Sequence, residues 1–250
     1  MTREEALWRI DQAAEKKLTQ LDLSGLDLKE LPPEIVKCTH LTKLFLSQNE
    51  ITSIPEAIGQ LSNLTHLELS FNKITSIPEV IGQLSNLTQL GFSCNQITSI
   101  PEVIGQLSNL EWLELGFNQI TSIPEALGQL SNLTQLVLAQ NQITSIPEAI
   151  GQLANLTYLD LKHNEITSIP EAFGQLSNLE WLDLSTNQIT SIPEAIRGME
   201  KLHIVNLDEN PIPIPPEILQ DEDSYEPSNW RTILDIYFQT RDPNNTEELN

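Results

Sequence analysis

Nine copies of one 23-residue phrase occupy most of this chain, and no other feature restricts its fold as tightly. ITSIPEAIGQLSNLTHLELSFNK is followed by ITSIPEVIGQLSNLTQLGFSCNQ. The leucine that opens each LxxLxLxxN segment recurs at Leu18, Leu41, Leu64, Leu87, Leu110, Leu133, Leu156, Leu179 and Leu202, with no insertion. A fixed period of this size marks a stacked architecture. Within LxxLxL the alternation has period two, which predicts a short strand with its leucines on one face. Unit 64–86 adds Ile74, Ile77, Ile81 and Leu84 to Leu64, Leu67 and Leu69, seven apolar residues in all. One unit cannot bury them alone; stacked neighbours can.

Strands of successive units then pair in parallel, about 4.8 Å apart. The return arm contains Ile54–Pro55 and its equivalents. Proline lacks a donor and holds its predecessor extended, so this arm is predicted to be irregular rather than helical. The ladder Asn49, Asn72, Asn95, Asn118, Asn141, Asn164, Asn187, Asn210 closes each strand, where an amide side chain can satisfy backbone groups of the turning chain. The period and the LxxLxLxxN pattern resemble the leucine-rich repeat family over residues 18–219. That resemblance implies an α/β-type repeat solenoid: a horseshoe with a concave parallel β-sheet and an irregular convex side.

The terminal units depart from the pattern, with Leu26 in the asparagine slot of the first and NPIPIPP ending the ninth. Open apolar faces at the ends of a solenoid need covers. Residues 1–17 supply one candidate: Thr2-x-x-Glu5 reads as a capping box opening an amphipathic helix with Leu7, Ile10 and Ala14 on one side. Residues 220–240 supply the other, an acidic linker followed by Trp230, Ile233, Leu234 and Tyr237 at helical spacing, with Ser228 near the start. Residues 241–250 read as a flexible tail. The opening MTREEALWRIDQAAEKKLTQLDLSGLDLKELPPEI and the closing NPIPIPPEIL with WRTILDIYFQ resemble the repeat region of cyanobacterial Roco-type proteins. In that family the repeats precede a Ras-like GTPase domain, which implies a regulatory segment or a stand-alone relative.

With 35 Asp+Glu against 13 Lys+Arg, a formal net charge of −22, the chain is a poor ligand for nucleic acid, whose affinity comes largely from cations displacing counterions. No Lys or Arg occurs between Lys73 and Lys162, which also argues against anionic membrane surfaces. The N-terminal segment lacks the apolar run of a signal peptide, and no stretch approaches the roughly 18 apolar residues of a membrane span. Two cysteines, Cys38 and Cys94, are too few for a disulfide framework or a four-ligand zinc site. A reduced, cytoplasmic setting is the expectation.

Catalysis needs titratable groups placed once, whereas most polar residues here recur in every unit. The row Glu56, Glu79, Glu102, Glu125, Glu148, Glu171, Glu194 reads as a solvated outer charge rail. His40, His66, His163 and His203 lie in different units, and no phosphate-binding loop is present. Cys38 occupies a core column, and Cys94 has no histidine in its unit to activate it. Asn-x-Thr sequons such as Asn63-Leu64-Thr65 recur around core leucines and read as packing. No catalytic residue, cofactor or metal is expected.

Against this monotony, the positions that alternation turns outward from the strands vary. Counting the opening leucine as first, the third column includes Trp112, Tyr158 and Trp181; the fifth includes Phe45, Glu68, Gly91, Glu114, Asp160 and Asp183. The eighth includes Phe71, Cys94 and Phe117, whereas Phe92 replaces a core leucine. Diversity confined to one face is what a binding surface would produce. Trp and Tyr are common interface anchors, and carboxylates between them favour a basic partner. The expected function is therefore non-catalytic binding of a protein or peptide, a basic one, on the concave face. Its expected residues are Phe45, Glu68, Phe71, Trp112, Glu114, Phe117, Tyr158, Asp160, Trp181 and Asp183. Two alternatives stay open: aromatic rings beside carboxylates also suit a carbohydrate, and the rings can instead lie flat on neighbouring strands as cross-strand pairs.

Overall fold

Each LxxLxL segment folds as a three-residue strand in the computed structural model, which describes residues 2–213 and 229–239. In order these are β1 (Gln20–Asp22), β2 (Lys43–Phe45), β3 (His66–Glu68), β4 (Gln89–Gly91), β5 (Trp112–Glu114), β6 (Gln135–Val137), β7 (Tyr158–Asp160), β8 (Trp181–Asp183) and β9 (Ile204–Asn206). Among the described residues they form one parallel sheet in strict chain order. Pairing never slips: Leu44 faces Leu67, Leu67 faces Leu90, and so on. The sheet forms one wall of the repeat solenoid.

The convex arm is irregular for most of its length, as expected, with short helical turns set into it. Each of the first eight repeats carries a short 3-10 helix there, from Pro33–Cys38 and Glu56–Gln60 through to Glu194–Gly198. Proline does not break these turns because it stands just before them or, at Pro33, at the first position. Pro55 is extended (φ −73, ψ 151), and its carbonyl accepts the Ile58 N–H at 3.0 Å, a bond that needs no proline donor. Neighbouring turns pack so closely that a Cβ on Gly128 would meet the Ala149 carbonyl oxygen at 2.5 Å. The glycine of the repeated phrase is thus a stacking requirement.

Between the two walls the apolar columns merge into one core running from Ala6 to Tyr237, with Phe92 and Phe173 fully buried in aliphatic slots. The asparagine ladder edges it. Asn118 Oδ1 accepts the Ile97 N–H at 3.0 Å, while its Nδ2 donates to the carbonyls of Phe92 and Leu115, both at 3.0 Å. The same pattern recurs at Asn72, Asn95, Asn141, Asn164 and Asn187. The residue before each asparagine is left-handed, with φ between 53 and 58 from Gln48 to Glu209. The sequon asparagines have a scaffold task as well: Asn63 and Asn86 are exposed, and each donates to a backbone carbonyl of the preceding repeat.

Helix α1 (Thr2–Lys16) covers the first repeat. Its buried stripe is Ala6, Ile10 and Ala13, with Leu7 and Ala14 only partly buried, a small rotation from the expected Leu7–Ile10–Ala14 face. The alanines let the helix approach closely: Cys38 Sγ donates to the Ile10 carbonyl at 3.4 Å. At the far end, α2 (Asn229–Gln239) buries Trp230, Leu234 and Tyr237. The Tyr237 hydroxyl accepts the Ile192 N–H at 3.1 Å, and Arg231 donates to the carbonyls of Met199 and Glu200. The Thr2 side chain of the capping box, Ser228, the acidic linker and the tail lie outside the described residues.

Candidate functional site on the sheet face

Third- and fifth-position side chains all leave the sheet on its solvent side, because the strand's middle leucine takes the core side. The eight expected residues at these positions therefore share one face by register, but they gather into distinct groups. Tyr158 and Trp181, directly paired on β7 and β8, stack with ring centroids 4.2 Å apart and planes 3° from parallel. The flat cross-strand packing left open from sequence is realised for this pair.

Asp160 and Asp183 behave less like surface charges than alternation implies. Each is only 5% exposed. Asp183 Oδ1 accepts both the Ser185 N–H and its hydroxyl, at 2.9 and 2.6 Å; Asp160 accepts the Lys162 N–H and pairs with its ammonium at 3.5 Å. Burial pushes the Asp160 carboxyl up, and Lys162 only partly opposes the shift. The Tyr158 phenol is pushed up to about 12, by burial first and then by the charges of Asp160 and Asp183.

The second group surrounds Gly91. Phe45, Glu68, Trp112 and Glu114 line a hollow of about 120 Å³, joined by His66 and Gln89. Burial raises the Glu114 carboxyl, and the charge of Glu68 adds to the shift. His66 is held below its ordinary value by burial and then by Lys43, so its ring is neutral at pH 7. The Trp112 indole Nε1 is buried with no hydrogen-bond partner. Phe71 and Phe117 stand apart from both groups: left-handed φ angles of 58 and 56 turn them past the strand ends, where each is 56% exposed. Gly91, His66 and Gln89 were not among the expected site residues. The one signal for them was a glycine in a column otherwise filled by side chains.

Cys94 is half-buried beside this face, with its thiol pushed up by burial and by Glu114, the opposite of an activated nucleophile. Among the described residues no group of three or more His, Cys, Asp and Glu is placed to hold a metal ion.

The raised carboxyls have a consequence for stability. Glu114, Asp160 and Asp208 all hold their protons longer in the folded chain than in the unfolded one. Stability from such groups is greatest below the ordinary carboxylate range and is lost as pH rises through the folded values. The net charge of −22 acts in the same sense through self-repulsion. Tm is expected to rise as the pH is lowered from about 7 toward the ordinary carboxylate range, at roughly 2–4 °C per kcal/mol for this chain length. Asp160→Asn should flatten that dependence in thermal melts; a slope unchanged by the variant would show that Asp160 does not contribute.

This fold and face describe a repeat scaffold presenting a continuous sheet surface. The family model described as leucine rich repeat matches residues 16–74, 63–120, 108–166 and 167–212, and the chain belongs to that family. No curated protein sequence matches significantly. Among solved structures it is similar to the LRR ectodomain of the plant membrane receptor kinase GASSHO1/SCHENGEN3 from Arabidopsis thaliana, in complex with CASPARIAN STRIP INTEGRITY FACTOR 2. Identity there is 33% and the TM-score 0.72, covering 80% of this chain and 25% of that one. The plant peptide hormone receptor RGFR1 in complex with RGF2 is similar at 35% identity and TM-score 0.70, over 78% of this chain and 32% of that one. The PEPR1–AtPEP1 structure follows at 30% identity and TM-score 0.70, over 78% and 29%. This chain thus spans about a quarter to a third of those proteins' lengths. None of these three is described as a Roco-type protein, and the narrower resemblance of the two ends draws no support from them.

Proposed function

We propose that the chain is a non-catalytic binding module that holds a protein or peptide against its concave sheet, in the cytoplasm, where its free thiols Cys38 and Cys94 stay reduced. The observation that carries this reading is the contrast between faces. The convex phrase repeats almost unchanged, while the sheet face gathers Trp112, the Tyr158–Trp181 stack and five carboxylates from Glu68 to Asp183 and on to Asp208. Similar repeat structures in complex with peptide ligands add support. The acidic face favours a basic partner. A carbohydrate is less well served, because Tyr158 and Trp181 spend one ring face on each other.

The test is capture from lysate with the chain as bait beside a Trp112→Ala/Trp181→Ala double variant, with circular dichroism establishing that both fold. The expected result is a partner retained by the wild type, lost by the double variant and weakened by salt, since exposed charges are screened over about 8 Å at physiological ionic strength. Capture of the same partner by both baits would move binding to the caps or the convex side.

A further inference from the structure

We propose that the hollow over Gly91 takes a single arginine side chain of the bound partner. The inference rests on the concave face being the binding face, and it narrows that reading to one contact.

Gly91 is the only fifth-column residue without a side chain, and its place in the sheet makes it the floor of the hollow. The register sets Glu68 on one side of it and Glu114 on the other. Glu68 leans across: a Cβ built on Gly91 would overlap its carboxylate. Its Oε1 is already held by the Ser70 N–H at 2.8 Å and the Ser47 hydroxyl at 3.3 Å. Its Oε2, the atom nearest that Cβ, has no hydrogen bond among the described residues. None of the ion pairs among the described residues involves Glu68 or Glu114. Two carboxylates thus face one half-enclosed space with no cation between them, and the neutral His66 does not supply one.

The rest of the lining selects among cations. Phe45 and Trp112 give the space aromatic sides, and Gln89 adds a side-chain amide. A guanidinium is flat, stacks on aromatic faces and offers five donors in a fork that two carboxylates can share. An ammonium is a compact, strongly hydrated point charge that uses neither the flat walls nor the second carboxylate as well. Burial of Glu114 beside Glu68 makes the empty pair unfavourable, so a guanidinium gains more here than at an open surface.

The experiment is an NMR titration of the full chain with N-acetyl-arginine amide, reading the Trp112 indole N–H, assigned by its disappearance in Trp112→Phe. N-acetyl-citrulline amide, nearly the same shape without charge, and N-acetyl-lysine amide are the comparison probes. A saturable shift in the millimolar range is expected with arginine, at least tenfold weaker with citrulline and several-fold weaker with lysine. Glu68→Gln/Glu114→Gln should weaken arginine binding at least tenfold, and Gly91→Leu, which fills the hollow, should abolish it. Equal binding of arginine and citrulline, equal binding of arginine and lysine, or binding that survives Gly91→Leu would each overturn the proposal. The wild-type probe comparison decides the matter even where a variant fails to fold. Partner capture lost in the Trp112→Ala/Trp181→Ala bait but unselective for arginine at Gly91 would sink this inference alone. Arginine binding beside unchanged capture by that bait would sink the concave-face reading instead.

Discussion

Asn118→Ala should lower stability by about 3–4 kcal/mol, as should the same change at the ladder's other buried asparagines. The estimate follows from what each bond leaves behind. The Ile97 N–H is buried and has Asn118 Oδ1 as its acceptor, so it loses its partner outright. An unmet buried donor costs roughly 1–3 kcal/mol. The two carbonyls fare better, because the ladder is shared. The Phe92 oxygen also accepts from Asn95, and the Leu115 oxygen also accepts from Asn141. Each keeps one donor after the substitution and costs only some tenths to about 1 kcal/mol.

Two controls follow from the same geometry. Asn210 is only partly buried, so water replaces its bonds and Asn210→Ala should cost about 1 kcal/mol or less. Asn118→Ala/Asn141→Ala strips both ladder donors from Leu115, so the double variant should lose more than the sum of the singles by about 0.5–3 kcal/mol. Urea unfolding read through the midpoint and slope measures all three. A slope that changes with the variant would signal loss of all-or-none unfolding, a known tendency of repeat arrays. Asn118→Ala no costlier than Asn210→Ala would refute the ladder's role in stability.

The features legible in the sequence are those the repeat multiplies. Leu44, Leu67 and Leu90 can be placed in the core because alternation within a strand fixes the face, and stacking identical units fixes register without further information. What escapes is decided between units or by single backbone angles. The 3-10 turns escape because proline reads as a breaker until its position just before the turn is known. The left-handed residues escape because Phe71, Cys94 and Thr186 belong to no common chemical type, and only Gly25 hints at the angle. The burial of Asp160 and Asp183 escapes for a different reason. Alternation says which side a residue leaves from, but strands about 4.8 Å apart crowd their side chains into one another, and neighbours such as Ser185 and Lys162 draw the carboxylates down. The Gly91 hollow is the complement of that crowding. It exists because one member of a column is missing.

Ile10→Asp is expected to undock α1 and expose Cys38, a loss confined to one end of the molecule. Ile10 is fully buried in the cap interface. Removing such a side chain costs roughly 2–5 kcal/mol before any charge is considered, and an unpaired buried carboxylate adds to it. The polar ties of α1 cannot make this up. Lys37–Asp11 at 2.7 Å is half-exposed, and exposed pairs contribute about 0–1 kcal/mol. The Arg9 bond to the Asp22 carbonyl is exposed as well. Cys38 reports the event directly. In the native chain it is buried, its thiol is pushed up by burial, and its Sγ donates to the Ile10 carbonyl, so reagents reach it only when the cap opens. About 4 kcal/mol off the docking free energy corresponds to roughly a thousandfold faster labelling, at a factor of ten per 1.4 kcal/mol. Ile10→Val, which trims one methyl group at about 0.5–1.5 kcal/mol, should raise the rate only about two- to tenfold. The assay is done on a Cys94→Ser background to leave one thiol. Because each repeat leans only on its neighbours, the far repeats should stay folded in the same variant, seen as an unchanged β9 and α2 in hydrogen exchange. Labelling of Cys38 at the wild-type rate would show that α1 is not its cover. Loss of protection across the whole sheet would instead show that the cap is required by the entire array.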